Sequence, residues 1–122
     1  MSCVPNAMSY EDLRPHLQHI LEKSRLTTLL QPILDLMDGR IMGYEALSRG
    51  PSNSPLHAPQ ALFAVAEHHG LLPVLDWACL HTAIKTFARL KRHHELPRAG
   101  IAIYRRSAGR SRPFSSLPRS GA

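Results

Sequence analysis

The chain is short of most things that build an extracellular or membrane protein. Of its 122 residues only two are cysteine and 6% are aromatic. Cys3 stands near the N-terminus and Cys79 within a helical pattern, which fits neither a disulfide framework nor the four closely spaced ligands of a structural zinc site. Both are read as free thiols. No apolar run approaches the roughly 18–20 residues of a membrane-spanning helix, and Met1 to Asn6 lack the plan of a secretion signal, so a cytoplasmic location is expected. There is no GxSxG elbow, no Walker loop and no GxGxxG run, which excludes those hydrolase, NTPase and dinucleotide motifs. Acidic residues are missing altogether beyond Pro97.

That last absence explains the net charge of +6. Up to Pro97, nine basic residues balance nine acidic ones; the whole excess comes from Arg98, Arg105, Arg106, Arg110, Arg112 and Arg119, set among Ser, Gly and Pro. Such a composition buries too little apolar surface to offset its ordering entropy, so residues 105–122 are expected to form a disordered basic tail. The tail does not interleave aromatics with its arginines as single-strand binders do. Its charge warrants only weak, unspecific, salt-sensitive attraction to nucleic acid, and no specific nucleic-acid partner is expected.

What is present is an ordinary globular composition, 43% apolar and 20% charged, in a chain long enough for one modest core. Ser9 with Asp12 three residues later reads as a capping box. Tyr10, Leu13, Leu17, Ile20 and Leu21 follow at helical spacing, giving an N-terminal helix or linker over residues 1–25. Thr27 to Leu36 and Arg40 to Ser48 then form two β-rich runs around Met37-Asp38-Gly39, a hairpin signature. A two-residue turn would set Gln31 across from Ala46, and a three-residue loop sets it across from Glu45. The three-residue loop is favoured, because it makes an apolar face of Leu30, Pro32, Leu34, Leu36, Met42, Tyr44 and Ala46 and gathers Gln31, Asp35 and Glu45 on the other.

Residues 49–57 are turn-formers almost throughout and read as a surface loop. A helix from Pro59 to a Gly70 stop follows, then a longer one from about Pro73 with Trp77, Leu80, Ile84 and Phe87 on one stripe. Ile101 to Tyr104 reads as a brief strand. Helix, hairpin, helix, helix and strand together suggest the opening of an α/β architecture.

Three side chains draw attention on chemical grounds. Glu45 is a carboxylate amid apolar strand residues, costly to bury without a cation such as a metal or Arg49, and otherwise turned to water. Gln31 offers an amide to a polar ligand edge or to stray backbone groups. Arg49, before a Gly-Pro loop, has the fork of donors that suits phosphate or carboxylate, although solvated arginines are commoner. Of the eight histidines, His16/His19, His68/His69 and His93/His94 come in close pairs. Adjacent histidines on a helix point about 100° apart, and His16/His19 lacks the glutamate of a helical metal motif, so zinc is not expected.

The residues Leu30-Gln31-Pro32-Ile33-Leu34-Asp35-Leu36, Gly39 to Arg49 (GRIMGYEALSR), Pro59, Leu62-Phe63, Ala66-Glu67 and Gly70-Leu71-Leu72 occur in an order that resembles the start of the EAL domain. The resemblance covers roughly residues 26–96, with Ile101 to Tyr104 as the beginning of the next strand. It implies a partial TIM-like barrel that opens with an antiparallel hairpin, and places a truncated EAL domain at residues 26–104. EAL domains are bacterial cyclic di-GMP phosphodiesterases, which yield linear pGpG, or their non-catalytic binding relatives. The resemblance implies Glu45 as a divalent-metal ligand (Mg or Mn) and Gln31, Leu47 and Arg49 as contacts to cyclic di-GMP. Where the family continues with an asparagine-bearing stretch, this chain reads Arg105-Arg106-Ser107. A complete barrel needs about 250 residues, so the expectation is an enzyme-like domain that is catalytically incomplete. The alternatives are a non-catalytic binding or protein-interaction module, with self-association through an open barrel edge, and the product of a frameshifted gene.

Overall fold

The computed structural model describes residues 8–93, 100–107 and 110–113. Its elements in chain order are α1 (Tyr10–Glu22), β1 (Thr27–Leu34), β2 (Ile41–Arg49), α2 (Pro59–His68), α3 (Leu72–His93), β3 (Gly100–Ser107) and β4 (Arg110–Pro113). The chain divides into two compact units, residues 1–27 with 48–82, and residues 28–47 with 83–122.

The first unit is helical, and its local chemistry is that of its caps. The Ser9 hydroxyl accepts the Asp12 N–H at 3.1 Å, while the Asp12 carboxylate accepts the Ser9 N–H at 3.0 Å. The expected capping box therefore starts α1. At the far end Ser24 takes a positive φ of 52°, and the Arg25 N–H reaches back to the Ile20 carbonyl at 2.9 Å. A residue with a Cβ thus does the work usually given to glycine. Pro59 occupies the first turn of α2, where its missing N–H costs nothing. At the end of α2 Gly70 (φ 68°) donates to the Glu67 carbonyl at 3.2 Å and Leu71 donates to Ala66 at 2.7 Å, the two bonds of a Schellman stop.

The helices bury one continuous core. Leu13, Leu17 and Ile20 of α1 pack with Leu62, Val65 and Ala66 of α2 and with Leu75 and Cys79 of α3. The loop after β2 lies at the surface as its composition suggests, with Ser52, Asn53 and His57 exposed, and is anchored in this core by Leu56, which is fully buried. Gly50 and His57 close that loop twice: the Gly50 N–H donates to the His57 carbonyl at 3.1 Å, and the His57 Nδ1–H donates to the Gly50 carbonyl at 2.9 Å. A side chain at Gly50 would collide with the Leu56 carbonyl, so the closure requires glycine here. The stripe expected on α3 is shifted. Trp77 is 71% and Ile84 49% exposed, and Leu75, Cys79 and Ala83 are buried instead.

The second unit carries a four-stranded sheet in the order β1-β2-β3-β4, open among the described residues. β2 and β3 run parallel, with Gly43, Tyr44, Glu45 and Ala46 opposite Gly100, Ile101, Ala102 and Ile103. The β1–β2 hairpin is present, but its turn is longer than expected. Asp35 N–H donates to the Arg40 carbonyl at 2.8 Å, so Leu36 to Gly39 span the turn as four residues rather than three. Two aspartates dictate this: the Asp35 carboxylate accepts the Met37 N–H at 2.8 Å and the Asp38 carboxylate accepts the Arg40 N–H at 2.9 Å, with Gly39 at φ 69°. The register argument built on a three-residue loop, with Gln31 facing Glu45, rests on the wrong loop. The supposed apolar face also splits, since Tyr44 and Ala46 are buried while Leu34, Leu36 and Met42 are exposed.

At the C-terminal end, where the sequence reads a tail from residue 105, β3 continues to Ser107. β4 pairs antiparallel with it, Arg105 opposite Arg112 and Ser107 opposite Arg110. Backbone pairing of this kind does not require apolar side chains. The rest of the expected tail, residues 114–122, lies outside the described residues, as do Cys3 and His94.

Candidate functional site

The hairpin turn and the parallel β2–β3 pairing fix where the sequence-derived candidates sit. Gln31 is on β1 and exposed. Glu45 and Leu47 occupy alternate positions of β2 and are both half-buried. Glu45 is opposite Ala102 of β3, so it belongs to an interior strand of the sheet rather than to an edge. The intervening Tyr44 and Ala46 turn into the packed side, where the Tyr44 ring meets Phe87 at 6.1 Å with a 58° tilt. Burial of Tyr44 and Ala46 thereby holds the odd-numbered residues on the opposite face. Arg49 ends β2, is half-buried, and precedes the Gly50 closure.

Beside that loop Cys79 is a free, buried thiol, and burial pushes its pKa up while a hydrogen bond with Ser48 works the other way. A thiol kept protonated in this way is a packing group, not a nucleophile.

A divalent cation of the Mg or Mn type wants six oxygen ligands in near-octahedral array. Among the described residues Glu45 belongs to no group of three convergent His, Cys, Asp or Glu side chains. One carboxylate supplies too few oxygens, so these residues alone do not fit such a metal. The acid and imidazole groups that do converge are Glu11, His68 and His69, in the helical unit. Sequence reasoning passed over them because it treated both histidines as helical. His69 is in fact the C-cap of α2, with φ −96° and ψ 7°, its N–H still donating to the Val65 carbonyl at 3.2 Å, and the chain reverses at Gly70 directly after it. The signal that was available is the Gly70-Leu71 stop directly after the pair, coupled to a capping box that places Glu11 in a first turn.

No helix among the described residues is long and apolar enough to cross a membrane. Comparison with curated proteins finds no match. The family model of the EAL domain matches residues 14–117, a span that runs from within α1 through the hairpin, both later helices and the β3–β4 pair. This covers most of the chain, in the order of elements that the GYEALSR strand and its neighbours led one to expect, and the chain belongs to the EAL domain family.

Proposed function

We propose that residues 26–104 are the opening part of a cyclic di-GMP-binding EAL domain, in which Gln31, Leu47 and Arg49 contact the dinucleotide and Glu45 is the family's metal position. In this reading residues 1–25 are an attached helix. The single observation that carries it is the position of the GYEALSR segment on β2, an interior strand paired in parallel with β3. In parallel sheets, ligands gather at the C-terminal ends of strands, and Arg49 is the C-terminal residue of β2. Its guanidinium suits a phosphodiester through paired N–H donors, Leu47 offers an apolar wall to a base, and Gln31 offers an amide that both donates and accepts.

We further infer that the 122 residues taken alone do not hydrolyse the ligand. Phosphodiester hydrolysis of this kind needs charge converging on the attacking and leaving oxygens. Glu45 belongs to no group of three convergent His, Cys, Asp or Glu side chains among the described residues. The reading is therefore a binding module of phosphodiesterase descent, cytoplasmic and able to pair through the free edge of its open sheet. A frameshift origin for the Arg-rich end is the second reading, favoured by the loss of every acidic residue beyond Pro97.

Calorimetry of the full chain with cyclic di-GMP in Mg or Mn tests the proposal, alongside chromatography for pGpG. Expected is a binding heat lost at least tenfold in affinity in Arg49→Ala and reduced in Gln31→Ala, with no pGpG formed. A folded protein that gives no heat, or variants that bind as the parent does, would overturn the binding assignment. Turnover to pGpG would overturn the incompleteness.

A further inference from the structure

The Glu11, His68 and His69 cluster has no role in the dinucleotide reading. Its three ligand-type atoms all lie within 4.8 Å of one another. His69 Nε2 is 2.9 Å from the Tyr10 carbonyl. A carbonyl can only accept, so Nε2 carries a proton, which leaves Nδ1, on the Glu11 side, as the nitrogen available to a cation. The side chain doing this is only 5% exposed. His68 is oriented by the same residue in another way, its ring stacked on that of Tyr10 at 4.4 Å and 14°. Tyr10 thus holds one imidazole by its backbone and the other by its ring. A histidine whose second nitrogen is tied to a backbone carbonyl is the usual arrangement around a bound metal.

The spacings separate a metal from a proton as the cation between these groups. His68 Nε2 stands 3.8 Å and His69 Nδ1 4.0 Å from Glu11 Oε1. Charge-assisted N–H···O bonds are about 2.7–2.9 Å, a full ångström shorter. Two ligands of a tetrahedral zinc, each bonded at about 2.0–2.1 Å, stand about 3.3–3.4 Å apart. Closing the remaining gaps asks about 0.4–0.7 Å of the two Glu11 pairs and up to about 1.4 Å between the two imidazoles, a movement that falls to Glu11 and His68, whose side chains are 70% and 47% exposed. Two imidazoles and one carboxylate are a zinc-type donor set, poorly suited to the oxygen-preferring cations of the Mg and Mn class.

We propose that Glu11, His68 and His69 form a zinc site, with water completing the coordination, that clasps the first turn of α1 to the end of α2. Glu11 precedes the matched EAL segment while both histidines lie inside it. The ion would therefore fasten the first turn of α1, just ahead of the matched segment, onto the end of α2 inside it, whatever becomes of dinucleotide binding.

The test is titration of the full chain with Co(II), followed by displacement with Zn(II), and thermal unfolding with and without zinc. Expected is one Co(II) per chain with visible d–d bands of tetrahedral strength, displacement by one Zn(II), and a zinc-dependent rise in Tm. Glu11→Gln and His68→Gln alter exposed side chains, so folding is retained by circular dichroism. Each is expected to weaken zinc at least tenfold and abolish the rise in Tm, while His16→Gln and His19→Gln leave both unchanged. Absence of stoichiometric uptake by the parent, or full uptake by the Glu11 and His68 variants, would overturn the site and place any zinc on other thiols or histidines.

Discussion

The two units of this chain spend their apolar residues differently. In the helical unit Leu13, Leu17, Leu56, Leu62, Val65 and Leu75 are all fully buried, with Val74 and Trp77 as its exposed large apolar residues. In the sheet unit Tyr44 and Ala46 are buried, but Leu29, Leu34, Leu36, Met37, Met42 and Ile84 stand in solvent. A helix pair satisfies its own backbone and needs to hide one stripe. A sheet strand exposes two faces and leaves hydrogen-bonding groups at each edge. The helical unit can therefore be stable on short-range contacts, whereas the sheet unit is dependent on what covers it. Of the residues proposed to serve the dinucleotide, Gln31, Glu45 and Leu47 lie on the dependent unit, and the histidine cluster lies wholly on the independent one.

The contrast breaks most directly by substitution in the two units. Leu62→Ala removes a fully buried side chain from the helical core and is expected to cost about 2–5 kcal/mol. Leu36→Ala, at a position 99% exposed, should stay within about 0.5 kcal/mol. Urea unfolding of both variants measures the difference, and comparable losses would contradict it. Gly50→Ala comes next: a methyl group pressed into the Leu56 carbonyl should cost about 1–3 kcal/mol in the same assay, the usual penalty of overpacking.

Smaller effects sharpen the picture at the ends of α1. Ser9→Ala deletes the cap and is expected to cost about 1 kcal/mol. The same cap makes stability depend on pH. Hydrogen bonds from the Ser9 backbone and hydroxyl hold the Asp12 pKa below its ordinary value. A carboxylate depressed on folding stabilises above its unfolded pKa, and that contribution fades as pH falls through the lower folded value, below about pH 4. Asp12→Asn should flatten this part of a stability–pH curve followed by circular dichroism, and Ser9→Ala, which keeps the backbone N–H that is the larger cause, should flatten it only in part. Ser24→Gly should act in the opposite sense, gaining about 0.5–1 kcal/mol by relieving a side chain held at positive φ.

Much of the fold was legible because it is written in local chemistry. Ser9, Asp12, Pro59 and Gly70 mark helix ends by hydrogen bonds and φ preferences that act within a few residues, and all four do so in the structure. The hairpin was legible from Gly39 and the flanking β-rich runs, but its loop length was not. Asp35 and Asp38 lengthen it with side-chain bonds to Met37 and Arg40 that strand alternation cannot reveal. The face of α3 was misread because Trp77 and Ile84 look like core by type, while burial is decided by tertiary partners. For the site, the GYEALSR segment marked β2 and its candidate residues. The meeting of Glu11 with His68 and His69 was hidden, since it depends on two helix ends coming together over 50 residues of intervening chain.

Amide hydrogen exchange resolved along the full chain tests the central contrast most directly. The account predicts that amides in α1 and α2 exchange only near the limit of global unfolding, while those of β1 and of the Asp35–Arg40 turn exchange at least tenfold faster through local opening. Equal protection of the hairpin and the two helices would contradict it, and would mean that the sheet unit carries as much of the stability as the helical core.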